Sequence, residues 1–91
     1  MITIIGNGNL ATHLAHYFTL VKLPWQQWSR KTHALAVLKR YCLTSHTLIV
    51  AIKDDAIPSF IEDHLAPLPT CTIIHCSAVH SIPGTFCVHP L

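Results

Sequence analysis

The chain has 91 residues, of which 51% are apolar and only 11% charged, with six basic and four acidic side chains giving a formal charge of +2. A chain of this length buries roughly 60% or more of its unfolded surface, enough for one small domain over residues 1–91. The charge is too small for nucleic-acid or anionic-membrane recognition, and no run approaches the ~18 apolar residues of a membrane span.

The first element expected is a strand over Ile2 to Ile5, which stops on Gly6-Asn7-Gly8-Asn9-Leu10-Ala11. A strand followed by Gly-x-Gly-x-x-Ala and a helix is the dinucleotide-binding fingerprint. Gly6 permits the tight turn, Gly8 lets a pyrophosphate approach the backbone, and Ala11 lets the helix pack closely on a sheet. The helix amides would then bind the phosphate anion. Leu10, Leu14 and Phe18, flanked by Ala11 and Ala15, form the apolar stripe of that first helix, with His13 and His16 off it.

Pro24 closes the connection to a second strand, Trp25 to Trp28, whose indoles pack a sheet edge or an oligomer contact. Ser29-Arg30-Lys31 follows, 23 to 25 positions after Gly6. An acidic residue about 20 positions on would hold the ribose hydroxyls of NAD. A hydroxyl and two cations instead suit a 2′-phosphate, so NADP is expected over NAD; the alternative is that Arg30 and Lys31 solvate a turn. Thr32 is expected to cap a second helix running to about Tyr41, with Leu35, Ala36 and Leu38 facing inward.

Thr47 to Ile52 is an apolar run without alternation, as expected of a central parallel strand. Ala51, Ile52 and Lys53 would line the cofactor cleft, and Asp54 or Asp55 would cap a third helix from Ala56 to about Leu65. Pro58 is harmless in a first turn. Cys71 to His75 form a fourth strand and Phe86 to Val88 a fifth. Right-handed crossovers then give an α/β fold: a small Rossmann-like open parallel sheet of about five strands, order 2-1-3-4-5, with helices on both faces and the usual extra strand beside strand two missing.

His75 and Ser77 leave the fourth strand where a nicotinamide ring would lie, and either could orient a carbonyl or relay a proton. The competing reading of His75 is structural. Cys71, His75, Cys76, His80, Cys87 and His89 also place six possible zinc ligands in nineteen residues. None has Cys-x-x-Cys or His-x-x-x-His spacing, so no metal site is assigned. The four cysteines fit reduced thiols in a cytoplasmic protein better than a disulfide scaffold.

Several segments together resemble a known group. Residues 6–14 (Gly-Asn-Gly-Asn-Leu-Ala-Thr-His-Leu), Ser29-Arg30, 52–57 (Ile-Lys-Asp-Asp-Ala-Ile), 75–78 (His-Cys-Ser-Ala) and His89-Pro90-Leu91 occur in the order found in one NADP-dependent family. That family includes pyrroline-carboxylate reductase, prephenate dehydrogenase and the deazaflavin-dependent NADP oxidoreductases. The chain is most similar to an uncharacterised branch in which a helical domain of unknown function follows. Ala78 stands where that family's loop usually has glycine.

The resemblance implies an NADP-binding domain of an oxidoreductase acting on a small-molecule substrate. A homo-oligomer or a separate helical partner domain would complete the substrate site. The alternative is a non-catalytic nucleotide-binding module or sensor.

Overall fold

A computed structural model describes residues 1–52, 56–65 and 72–75, with the backbone alone of 85–87. Lys53, Asp54, Asp55, Cys71, Cys76, Ser77, Ala78, His80 and His89 lie outside the described residues, as do the side chains of Phe86 and Cys87.

The elements alternate along the chain. Strand β1 spans Ile2–Ile5, helix α1 Asn9–Leu20, β2 Trp25–Trp28, α2 Leu35–Thr44 and β3 Thr47–Val50. Helix α3 spans Ile57–Phe60 and runs into a π-helical turn, Ile61–Leu65; β4 is Thr72–His75. These four strands form an all-parallel sheet in the order β2-β1-β3-β4, with Ile4 opposite both Gln27 and Ile49, and Ile49 opposite Ile74. The backbone of Thr85–Cys87, β5, lies parallel beside β4. Among the described residues no strand pairs with the outer edge of β2.

The strand alternation sorts the core into two layers. Ile4, Ile49 and Ala51 share one face with Ala11 and Phe18 of α1. Ile5, Leu48 and Val50 share the other with Leu38 and Cys42 of α2 and with Ile57, Phe60, Ile61 and Leu65. The arrangement follows from right-handed crossovers. The chain moves one way from β1 to β2 and the other way from β2 to β3, so α1 and α2 must cover opposite faces. Each fully buried Leu or Ile contributes roughly 1.5–3 kcal/mol of transfer free energy, and Ile4, Ile5, Leu48, Ile57 and Leu65 are all fully buried. Trp28 stacks obliquely on Phe60, with centroids 5.8 Å apart, and its indole N–H donates to the Ala34 carbonyl at 2.9 Å. Trp28 therefore belongs to the core, not to an exposed contact.

One buried polar group lies in the central strand. Thr3 is fully buried, and its hydroxyl bonds the Ser45 hydroxyl while accepting from the Gln26 side-chain amide at 3.0 Å. A buried hydroxyl is tolerated because it is paired.

Two helices differ from the sequence expectation. Helix α2 starts after Ala34 and ends at Thr44, so Thr32 is not its cap. The Ser29 carbonyl accepts from the N–H groups of both Thr32 and His33, at 3.1 and 2.9 Å, which commits residues 29–33 to a turn. The delayed start rotates the buried stripe to Leu38 and Cys42, flanked by Val37 and Tyr41, and leaves Leu35 and Ala36 exposed. The third helix widens to π geometry at Ile61, yet Ile57, Phe60, Ile61 and Leu65 all still face the sheet. His13 and His16 are exposed, as their position off the α1 stripe requires. Among the described residues no helix is long and apolar enough to cross a membrane.

Candidate functional site

The site is built where β1 ends. The Gly6 N–H donates to the Trp28 carbonyl at 2.8 Å, and the Ala51 N–H donates to the Ile5 carbonyl at 2.8 Å, so β1 is clamped on both sides as it turns. Gly6 has φ +131°, and a Cβ there would overlap the Ala51 carbonyl oxygen and come within 3.0 Å of the Ala51 carbonyl carbon. Glycine is needed both for the backbone angle and for the close approach of β3.

Gly8 differs. Its φ of −81° is open to any residue, and among the described residues a Cβ would meet nothing within 4 Å. Among the described residues nothing calls for glycine at that position, and none fills the space in front of Gly8.

Gly8 is the N-cap of α1, and among the described residues no side-chain hydrogen bond caps the helix. The first intrahelical donor is the Thr12 N–H, which reaches the Gly8 carbonyl at 3.0 Å. The preceding first-turn amides lie too early for intrahelical partners and carry partial positive charge. No acidic side chain occupies the first turn. Ala11 is fully buried against Ile4, Ile49 and Ala51, and its small size sets the helix close to the strands.

A cleft of about 600 Å³ opens above these groups, within the ~300–1,000 Å³ usual for small-molecule sites. Its walls are the Gly6–Leu10 loop, the segment Trp28–Lys31 that leaves β2, Ala51 and Ile52 at the end of β3, and Ala56 with Phe60 from the α3 side. Of the expected cofactor residues, Gly6, Asn7, Gly8, Asn9, Leu10, Ser29, Arg30, Lys31, Ala51 and Ile52 are thus brought together around one space. Ala11 supports the loop from below. Among the described residues lining the cleft, the charged side chains are the exposed cations Arg30 and Lys31, with no carboxylate. Amide donors, an open approach at Gly8 and two cations make the cleft suited to a polyanion with an apolar portion.

Ser29 has a second role that its residue type alone does not reveal. It is buried, its Oγ accepts from the Lys31 N–H at 3.2 Å, and its carbonyl holds Thr32 and His33. Ser29 shapes the turn that presents Arg30 and Lys31. A residue that the sequence pattern does not mark is Gln27, whose side-chain amide donates to the Gly6 carbonyl at 2.7 Å. The available signal was a pair of glutamines in a four-residue strand between two tryptophans.

His75 ends β4 opposite Val50 and is 1% exposed. Among the described residues it is not part of the cleft wall. Ser77 and Lys53, expected beside it and beside the cofactor, lie outside the described residues. Among the described residues no three His, Cys, Asp or Glu side chains are grouped to hold a metal ion. No family model matches the chain, and no match is found among curated proteins or solved structures.

Proposed function

We propose that this chain binds NADP in the cleft above the Gly6–Leu10 loop and serves as the cofactor domain of an oxidoreductase. The observation that carries the reading is a convergence. The open face of Gly8, the uncapped start of α1 and the cations Arg30 and Lys31 all border one carboxylate-free space among the described residues. The pyrophosphate would lie on the α1 amides, as helix N-termini favour. The 2′-phosphate would lie against Arg30 and Lys31, where a carboxylate would instead select NAD. Ala51 and Ile52 would flank the ring system. When bound, the nicotinamide supplies the hydride chemistry, and the protein supplies orientation. In this reading His75 and Ser77 are the residues proposed to orient a small-molecule substrate, and a second copy or a helical partner domain would complete the substrate side.

One observation favours a second reading. His75 is 1% exposed, which suits a structural histidine and hence a non-catalytic nucleotide-binding module. Turnover separates the two: the module binds NADPH but oxidises none of it with imine, keto-acid or flavin acceptors.

Calorimetric titration tests the binding itself. The protein is expected to bind NADPH more tightly than NADH. Arg30→Ala is expected to weaken NADPH about tenfold, ~1.4 kcal/mol, and to leave NADH nearly unchanged. Equal affinity for the two cofactors would overturn the assignment of Arg30 to a phosphate.

A further inference from the structure

We infer that Gln27, a residue of β2 with no place in the fingerprint, is the positioning residue for the glycine loop. In a parallel pair, the N–H and C=O of one residue bond to partners two apart on the neighbouring strand. The Gly6 N–H donates to the Trp28 carbonyl, so the matching donor for the Gly6 carbonyl would be the N–H of residue 30. Strand β2 ends at Trp28, and the chain turns at Ser29, whose Oγ and carbonyl organise residues 31–33. The ladder donor is therefore missing. The Gln27 side-chain amide takes its place at 2.7 Å.

This has a consequence for an anion. Gly6 is buried, and an unpaired buried carbonyl costs roughly 1–3 kcal/mol, so without Gln27 the peptide would be driven to reorient. The carbonyl lone pairs would then be free to face the cleft, where they would repel a phosphate. With Gln27 in place the carbonyl is held toward β2. Because the peptide is planar and trans, the Asn7 N–H points the opposite way, with its direction set by the same bond. Gln27 fixes the electrostatic sense of the loop from beneath, without itself lining the cleft.

The inference rests on the dinucleotide reading, and its test keeps the two separate. Gln27→Met retains the length and removes the donor. In the ligand-free protein, 15N relaxation should show Asn7 and Gly8 changing from rigid (order parameters about 0.85) to mobile (below about 0.6), with Ile49 and Val50 staying rigid. Affinity for NADP+, titrated calorimetrically, should fall about tenfold. Unchanged order at Asn7 and Gly8 overturns the inference. So does a mobile loop that binds NADP+ as well as before, or a loosening shared by Ile49 and Val50, which would mark Gln27 as a general stabiliser. If the unsubstituted protein binds no NADP+, the proposed function fails, while the relaxation data still decide whether Gln27 holds the loop.

Discussion

Adding a single methyl group at either of two glycines should have opposite consequences. In Gly6→Ala, the backbone must keep φ near +131°, a region that side-chain-bearing residues rarely occupy, at roughly 1–3 kcal/mol. The new Cβ also overlaps the Ala51 carbonyl oxygen. The bond from the Ala51 N–H to the Ile5 carbonyl holds the end of β3 against β1, so relieving the overlap means rotating the peptide that follows Ala51. Overpacking of this kind costs about 1–3 kcal/mol, and the lower unfolded-state entropy of alanine returns only ~0.4–1 kcal/mol. The net loss is about 1–5.6 kcal/mol, against a total of roughly 0.05–0.15 kcal/mol per residue. At about 4–8 °C per kcal/mol for a domain of this size, Tm should fall by at least ~4 °C. In Gly8→Ala the methyl meets none of the described residues within 4 Å at φ −81°, and the poorer N-cap costs about 1 kcal/mol or less. Its cost appears instead in binding: the methyl occupies the space assigned to the pyrophosphate, and NADPH affinity should drop at least about tenfold. Thermal unfolding by circular dichroism, followed by calorimetry on Gly8→Ala, measures both. A Gly6→Ala protein that melts within about 2 °C of the parent, or a Gly8→Ala protein destabilised as severely as Gly6→Ala, would refute this account of the two glycines.

Two further substitutions probe helix α1. Lys22 has φ +59°, and the bonds from Lys22 N–H to the Thr19 carbonyl and from Leu23 N–H to the Phe18 carbonyl close α1 in a Schellman turn. Glycine is preferred at that left-handed position, so Lys22→Gly should stabilise the protein by about 0.5–1 kcal/mol, seen as a higher urea midpoint with unchanged slope. Ala11→Leu inserts three carbons where α1 meets Ile4, Ile49 and Ala51; it should cost roughly 1–3 kcal/mol by denaturant titration and, by tilting the helix, weaken NADPH as well.

Much of this arrangement could be read from residue order. Ile2–Ile5 and Trp25–Trp28 are strands at the limits expected, because each is bounded by strong punctuation: Gly6 after the first, Pro24 before the second. The glycine loop was legible because its spacing joins two structural periods. The start of α2 was not. Thr32 resembles a cap by residue type, and only the tertiary position of Ser29, buried and bonded to three following amides, shows that the chain is still turning there. Gln27 was invisible for a similar reason: its value depends on where β2 leaves the ladder, which no local pattern records. Lys22 was hidden because a lysine does not advertise a left-handed backbone.

The position of β1 has a consequence for how the chain reaches this state. Ile4 is flanked by Gln27 on one side and by Ile49 on the other. During synthesis the first partner arrives after 23 residues and the second only after 45. In that interval α1 can shelter one side of β1, while the ladder edge awaiting β3 has no partner. Loop closure over such distances is slow, and a waiting strand edge is where chains pair wrongly with one another. The buried hydroxyl of Thr3, which is satisfied only when Gln26 and Ser45 have both arrived, then acts as a late proofreader of alignment: a strand docked one residue out would leave it unpaired.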